Sequence, residues 1–526
     1  MKRFLVLALA AFAFAACSEK EETGNQPAQN AELEQSYVAI TLAADDITRA
    51  QNGNEYEEGT DAERAVKSAY VFFFKDGAAF PVTFNDGTST NAGTNNYLKV
   101  DLSGSTSAMP NVSDVKDAVL ILQNYKGEYP NQIVAVLNWD PTAKASYTLS
   151  ELQTKVASAV NNANGFVMSN SVYADRAGQV VDAVGLTIAN IGKTKDAALA
   201  NPVTIHVERV AAKVAFTADN GGKFAVEKEI EGKPVFAQIK GFELYNDYEE
   251  SRLLKKINPN WATEDTNFGF TNWNDVDWFR SYWAQSLGTE FPKNTFAWNT
   301  DNTDMGGYVY CGENTRAWTK EADVRTKVVV KAQLVDAEDK PFEVVNWYGK
   351  DYIGEDDLKV VVANTLKNTY FSSADGTTFV GLTPDDIKCV DRLVTDAKAY
   401  EVYFQLSDAG AAKTWYKYEG SNYTPVDALN TALAAVQPAL VYKNGMTYYW
   451  LDIEHLGQAG STTEYGIVRN HVYKVNINDI TGYGTPVYNG TSDFINLEKP
   501  EDIVTYVSAQ INILSWRVVE NDYDLK

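Results

Sequence analysis

Val203-Thr204-Ile205-His206-Val207-Glu208-Arg209-Val210-Ala211-Ala212-Lys213-Val214 reads as β-strand, with apolar residues alternating from Val203 to Val207. We place a domain boundary inside this stretch, between residues 210 and 211. Three further strand signals lie on its N-terminal side. Ser36-Tyr37-Val38-Ala39-Ile40-Thr41-Leu42 alternates, with Val38, Ile40 and Leu42 on one face, and residues 43–49 follow as a polar loop. Ala69-Tyr70-Val71-Phe72-Phe73-Phe74 is a strand closed by Asp76-Gly77, a strong turn pair. Gln132–Leu137 is an almost unbroken apolar run, suited to a central strand. Thr148-Leu149-Ser150-Glu151 matches a capping box, and Leu149, Leu152, Val156 and Val160 continue it at helical spacing. On the C-terminal side, Lys327–Val335, 358–362 and 397–406 read as strands. Residues 426–436 read as a short helix, with Leu429, Leu433 and Val436 on one side. The expected fold is mainly β: two consecutive β-sandwiches with short helical insertions, over 50–210 and 211–526.

Composition agrees with strands joined by many loops, with 30 Tyr, 23 Phe, 11 Trp and 34 Gly in 526 residues. The net charge of −24 argues against a broad basic face for nucleic acid or an anionic membrane. Met1-Lys2-Arg3 and the apolar run Phe4 to Ala16 form a secretory signal, shorter than the roughly 20 residues of a spanning helix. Phe14-Ala15-Ala16-Cys17 resembles a lipobox, so Cys17 is the expected lipidation site, and residues 18–31 read as a flexible polar tether. Acyl chains at Cys17 contribute roughly 0.8 kcal/mol per buried CH₂. Cys311 and Cys389, the other two cysteines, are open to either reading, one disulfide or two buried thiols.

Catalytic signatures are missing: no GxGxxG, Walker A, HExxH, GxSxG or CxxC occurs. His206, His455 and His471 form no local metal-ligand pattern. Asp46, or Asp351 with Asp356 and Asp357, reads more simply as solvated charge than as a calcium site. No enzyme activity, cofactor or metal is expected. Thr48-Arg49-Ala50 places a lone basic residue between a strand and a polar stretch. Near the C-terminus, Val507, Ala509, Ile511 and Ile513 share one strand face, while Leu514, Trp516 and Val518 take the other parity, as a bulge allows. Such a strand either completes its own sheet or completes a neighbour's by strand addition.

Several blocks, in order along the chain, resemble the Mfa1-like major fimbrial subunits of Bacteroidota, type V pilins of the fimbrillin kind. They are Asp61-Ala62-Glu63-Arg64-Ala65-Val66-Lys67-Ser68, Val136-Leu137-Asn138-Trp139, and Phe166-Val167-Met168-Ser169-Asn170-Ser171-Val172-Tyr173. Val207-Glu208-Arg209-Val210-Ala211-Ala212-Lys213-Val214, Trp278-Phe279-Arg280-Ser281-Tyr282-Trp283-Ala284 and Cys311-Gly312-Glu313-Asn314-Thr315 follow. The strongest is Tyr465-Gly466-Ile467-Val468-Arg469-Asn470-His471-Val472-Tyr473-Lys474-Val475-Asn476-Ile477, joined by Ile511-Asn512-Ile513-Leu514-Ser515-Trp516-Arg517-Val518-Val519.

The resemblance implies transthyretin-like sandwiches and export as an outer-membrane lipoprotein. It implies cleavage between Arg49 and Ala50 by an arginine-specific surface protease, releasing residues 18–49 with the strand of Tyr37, Val38, Ile40 and Leu42. The vacated groove of the N-terminal domain would accept a strand at about 507–519 from the next subunit, with Ile511, Ile513, Leu514, Trp516 and Val518 as donors. The implied partners are identical subunits in a head-to-tail extracellular fimbria, together with accessory, tip and anchor fimbrillins. The rival reading is a lipid-anchored adhesin or accessory subunit binding glycan or protein, motivated by the aromatics Trp273, Trp278, Phe279, Tyr282 and Trp283. Core packing is the plainer explanation of that cluster.

Overall fold

Consecutive apolar residues mark a strand covered on both faces, and Tyr70-Val71-Phe72-Phe73-Phe74 is such a strand. Val71 and Phe73 enter one core with Ile133 and Ala135, while Phe72 and Phe74 enter another with Val134 and Val136. The structure, a computed structural model, describes residues 35–45, 59–82, 84–85, 90–91, 95–100, 112–123, 128–160, 165–170, 173–174, 180–181, 183–256, 284–289, 291, 296–297, 304–316, 324–391, 401–455, 464–488, 494–495 and 517–525. For 35–45, 112–123, 517–525 and the two-residue strands outside the longer stretches, the backbone path alone is described.

The chain is mainly β. Its first sheet contains β1 (Gln35–Asp45), β2 (Ala69–Lys75), β3 (Val112–Gln123), β4 (Gln132–Leu137), β5 (Met168–Asn170) and β6 (Val203–Arg209), in the order β3-β1-β6-β5-β4-β2. Asp76 and Gly77 both take positive φ, 52° and 77°, the geometry of a tight hairpin leaving β2. After β6 the chain turns at Val210-Ala211 into β7 (Ala212–Ala218), which belongs to a different sheet.

The second unit is a sandwich. One layer is Tyr308–Cys311, β7, β12 (His471–Ile480) and β13 (Arg517–Leu525). The other contains β8 (Lys223–Ile230), β9 (Lys233–Tyr245), β10 (Lys327–Val335) and β11 (Met446–Asp452). Val214, Phe216, Tyr473 and Val475 from the first layer pack on Phe242, Val330, Leu334 and Tyr449 from the second. β10 and β11 are antiparallel neighbours, from Lys327 opposite Asp452 to Gln333 opposite Met446. The chain between them folds into a module with its own core of Val345, Trp347, Leu358, Val362, Phe404, Trp415 and Val441. Residues 211–526, expected as one sandwich, thus contain a second compact core.

Three local expectations are corrected. Residues 358–362 lie within a helix, Gly354–Leu366, and not a strand. Leu358, Val362 and Ala363 are buried at helical spacing while Val360 is exposed, and a short β-branched run does not distinguish the two periods. The helix opened by the Thr148–Glu151 capping box ends at Gln153. Val156–Ser158 then forms a strand against Glu250–Arg252, so Val156 and Val160 do not extend a helical face. Finally, β1 runs on to Asp45, into the stretch read as loop. The strands read at Lys327–Val335 and Gln132–Leu137, and the helix within 426–436 (Leu429–Ala434), are present.

Candidate functional site

β1 occupies an interior slot of the first sheet. Along one edge it is antiparallel to β3, from Gln35 opposite Gln123 to Asp45 opposite Val112. Its other edge is shared: Tyr37 and Val38 pair with Gly192 and Ile191, and Ile40 to Ala44 run parallel to Val203–Val207 of β6. The β6 residues Val203, Ile205 and Val207 are buried in the core beneath. Among the described residues, β3 has no ladder other than the one with β1. Withdrawing β1 would therefore leave two rows of backbone N–H and C=O groups unpaired, one on β6 and one on β3, and buried backbone groups without partners are costly. At the other end of the chain, β13 lies at the sheet margin, parallel to β12, with His471 opposite Arg517 and Ile480 opposite Leu525.

The blocks that drew attention in the sequence converge on the junction between the two domains. Thr60 caps the short helix Asp61–Arg64 in a reciprocal box with Glu63. The Glu63 carboxylate, almost fully buried, accepts hydrogen bonds from the Tyr310 hydroxyl at 2.5 Å and from Lys213 Nζ at 2.9 Å, both from the second domain. Burial alone would raise its pKa, but the bonds from Tyr310, the Thr60 backbone and Lys213 outweigh it and hold the group at about 2. Arg209 Nε donates to the Glu63 carbonyl at 2.8 Å, and Arg209 Nη1 to Asn470 Oδ1 at 3.1 Å.

Asn138, at φ 58°, ties three segments together. Its Oδ1 accepts from Lys67 N at 2.8 Å, and its Nδ2 donates to the Ala65 and Phe166 carbonyls, each at 2.8 Å. Phe166 meets Tyr310 edge to face at 4.6 Å. Arg469 is fully buried against Glu313, with bonds of 3.1 and 3.2 Å, and also donates to the Arg252 carbonyl at 2.8 Å. The segment following β9 completes the junction. Glu250–Arg252 pairs with Val156–Ser158, while Leu253 and Leu254 insert into the core holding Phe72 and Tyr147. Lys255 lies 3.6 Å from Glu208 of β6, both almost wholly buried. Gly312 is required by close approach, since a Cβ there would stand 2.2 Å from the Glu250 carbonyl oxygen.

Of the residues singled out in the sequence, Cys17, Arg49, Ala50, Ile511, Ile513, Leu514 and Trp516 lie outside the described residues, as do Trp273, Trp278, Phe279, Tyr282 and Trp283. Tyr37, Val38, Ile40 and Leu42 fall on β1, and Val518 on β13 opposite Val472. The three histidines lie at or near strands. His206 is in β6, whereas His455 and His471 are brought together, their rings 5.1 Å apart and buried. His455 Nδ1 faces the Tyr473 hydroxyl at 3.0 Å, and His471 Nδ1 faces the Arg469 carbonyl at 2.7 Å. Their 16-residue separation in sequence carries no signal of that contact. Cys311 and Cys389 are not bonded to each other; burial pushes the Cys389 thiol up to about 12.

This geometry defines a class of protein: tandem β domains locked by a buried polar junction, with one terminal strand inside a sheet and the other at a sheet margin. Residues 440–522, which run from the end of the inserted module through β11 and β12 into β13, match the family model for the major fimbrial subunit protein type IV, fimbrillin, C-terminal. The C-terminal region is thus fimbrillin-like. Among solved structures, a "putative cell adhesion protein" from Bacteroides eggerthii DSM 20697 is similar at 13% identity, over 62% of this chain and 80% of that one. Its TM-score is 0.28, too low to carry weight for fold or function. No curated protein matches.

Proposed function

We propose that this chain is a shaft subunit of an adhesive fimbria of the Mfa1-like, type V kind, assembled by protease-triggered strand replacement. The observation that carries the reading is the position of β1. It is an interior strand of the first sheet, yet it ends at Asp45, so one cut between Arg49 and Ala50 removes its covalent link to the strands it pairs with and leaves only the ladders to hold it. The precursor would reach the outer membrane through lipid on Cys17. Cleavage by an arginine-specific protease would then discard lipid, tether and β1 together. A C-terminal strand of another subunit would fill the slot, satisfying the edges of β6 and β3 at once. Such a contact joins different surfaces of two copies and does not close on itself, so it grows a filament on the cell surface. Keeping β1 in place until export protects the edges that would otherwise pair prematurely. The fimbrillin-like match over residues 440–522 supports the same reading.

The test treats full-length precursor with a trypsin-like protease and follows assembly by electron microscopy and light scattering. Wild type should be cut after Arg49 and form filaments. Arg49→Ala, and a chain ending before Val507, should stay monomeric. Wild-type protein that is cut at Arg49 yet remains monomeric at high concentration would overturn the shaft reading.

A further inference from the structure

The inserted module carries an aromatic face that neither the junction nor the β1 slot uses. Its four-stranded sheet joins Val380–Gly381, Tyr370–Ser372, Trp415–Tyr418 and Tyr423–Pro425. One face turns Tyr370 and Trp415 toward the module core. Strand alternation puts Phe371, Tyr416, Tyr418 and Tyr423 on the other, with Phe371 registered to Tyr416 and Tyr418 to Tyr423. Phe379 joins them, its ring 3.7 Å from Tyr423 and 5.2 Å from Tyr416, and Phe371 meets Tyr423 at 5.1 Å. None of these five rings belongs to the module core, and Tyr418 and Tyr423 are 37% and 36% exposed. Aromatic side chains stabilise most when buried, so a connected set with two rings exposed and three half-buried points to a binding role.

A cleft of about 630 Å³, within the roughly 300–1,000 Å³ of small-ligand sites, opens at the end of the same sheet; Ser372 and Val380, which line it, share the parity of Tyr370 and Trp415, so it borders the aromatic face only across the loop 373–379. Ser373, Asp375, Thr378, Lys413 and Thr414 line it. The loop 373–379 builds one wall and delivers Phe379 to the aromatic face, while a Cβ on Gly376 would lie 4.0 Å from the Tyr416 hydroxyl. Cleft and face therefore meet along one loop. Asp375 fixes that loop, accepting from the N–H groups of Thr377 and Thr378 at 2.8 and 2.7 Å and from the Thr378 hydroxyl at 3.0 Å. Lys413 is neutralised by Asp386 at 2.6 Å, so the lining offers hydroxyls, a carboxylate and no surplus positive charge.

Aromatic rings beside fixed hydroxyl and carboxylate groups match a sugar, whose C–H faces stack while its hydroxyls hydrogen-bond. An added peptide strand fits less well, because the marginal strand Tyr423–Pro425 carries a proline that cannot donate to a ladder. We infer that the aromatic face and the cleft around loop 373–379 bind a short neutral glycan.

The test uses the full chain with lactose, N-acetyllactosamine, cellotriose, maltotriose and mannotriose, read by saturation-transfer NMR and calorimetry, with 3′-sialyllactose as an anionic comparison. At least one neutral oligosaccharide should bind at millimolar concentration. Tyr423→Ala and Thr378→Ala should each weaken it by at least about tenfold, and Tyr348→Ala, which removes an exposed aromatic elsewhere on the module, should leave it unchanged. Tyr418→Ala provides a second ring deletion should Tyr423→Ala not fold, as judged by its unfolding midpoint. Arg49→Ala should bind as wild type does, which separates this site from the assembly mechanism. The inference is overturned if no neutral glycan binds, if binding survives loss of the rings and of Thr378, or if sialyllactose binds as tightly as the neutral sugars.

Discussion

Glu63 shows how one carboxylate can hold two domains. It sits in the first turn of a four-residue helix, where sequence alone suggests a capping residue and nothing more. Its Oε2 accepts from the Thr60 N–H at 2.6 Å while its Oε1 crosses to Lys213 and Tyr310. Because its folded pKa of about 2 lies below the ordinary 4.5, the stability it contributes is complete above 4.5 and is lost as pH falls toward 2. Wild type should therefore lose more stability between pH 4.5 and 2 than Glu63→Gln does, as measured by urea unfolding across that range. Arg469 is the second such residue. Arg469→Ala should cost about 3–5 kcal/mol in the same assay, since it leaves Glu313 buried without its guanidinium partner. A loss below about 1 kcal/mol would mean that Glu313 finds another partner or that water reaches it.

At the level of elements, β1 differs from every other strand of its sheet in being held on both edges and yet lying upstream of the expected cleavage site. A chain beginning at Ala50 should bind a synthetic peptide of residues 35–45. Hydrogen exchange should then show new protection in both β6 and β3, because the slot has two walls. A Leu42→Pro peptide, which loses a backbone donor in the middle of the strand, should protect neither strand. Protection of β6 alone would mean that β3 does not form a wall of the slot. The strands themselves were largely legible. Covered strands announce themselves as unbroken apolar runs, as at Gln132–Leu137, and half-covered ones as alternation, as at Val203–Val207. The helix Gly354–Leu366 was not, because Leu358-Lys359-Val360-Val361-Val362 is too short for its period to be told from that of a strand.

For the molecule as a whole, the junction should make the two domains unfold together. Calorimetry at neutral pH should give one transition for wild type. Combining Glu63→Ala with Arg209→Ala, which removes the bonds to Lys213, Tyr310 and Asn470, should separate it into two. Two transitions already present in wild type would show that the buried polar contacts position the domains without coupling their stability. The inserted module emerges between β10 and β11 without interrupting their pairing, so glycan contact and assembly would occupy different parts of the subunit.

The sequence by itself determined the mainly β character and the local turns and caps, because these depend on side-chain periodicity and on backbone preferences within a few residues. It also carried the blocks around Glu63, Asn138, Arg209, Glu313 and Arg469, but as separate strings without a shared place. Only the tertiary structure brought them together, since a buried charge acquires its role from partners far away in sequence, as Glu63 does from Lys213 and Tyr310. The interior position of β1 was likewise decided by tertiary structure. Alternation in 36–42 marks a strand, but which edges it fills depends on β3 and β6, and a periodicity does not name its neighbours.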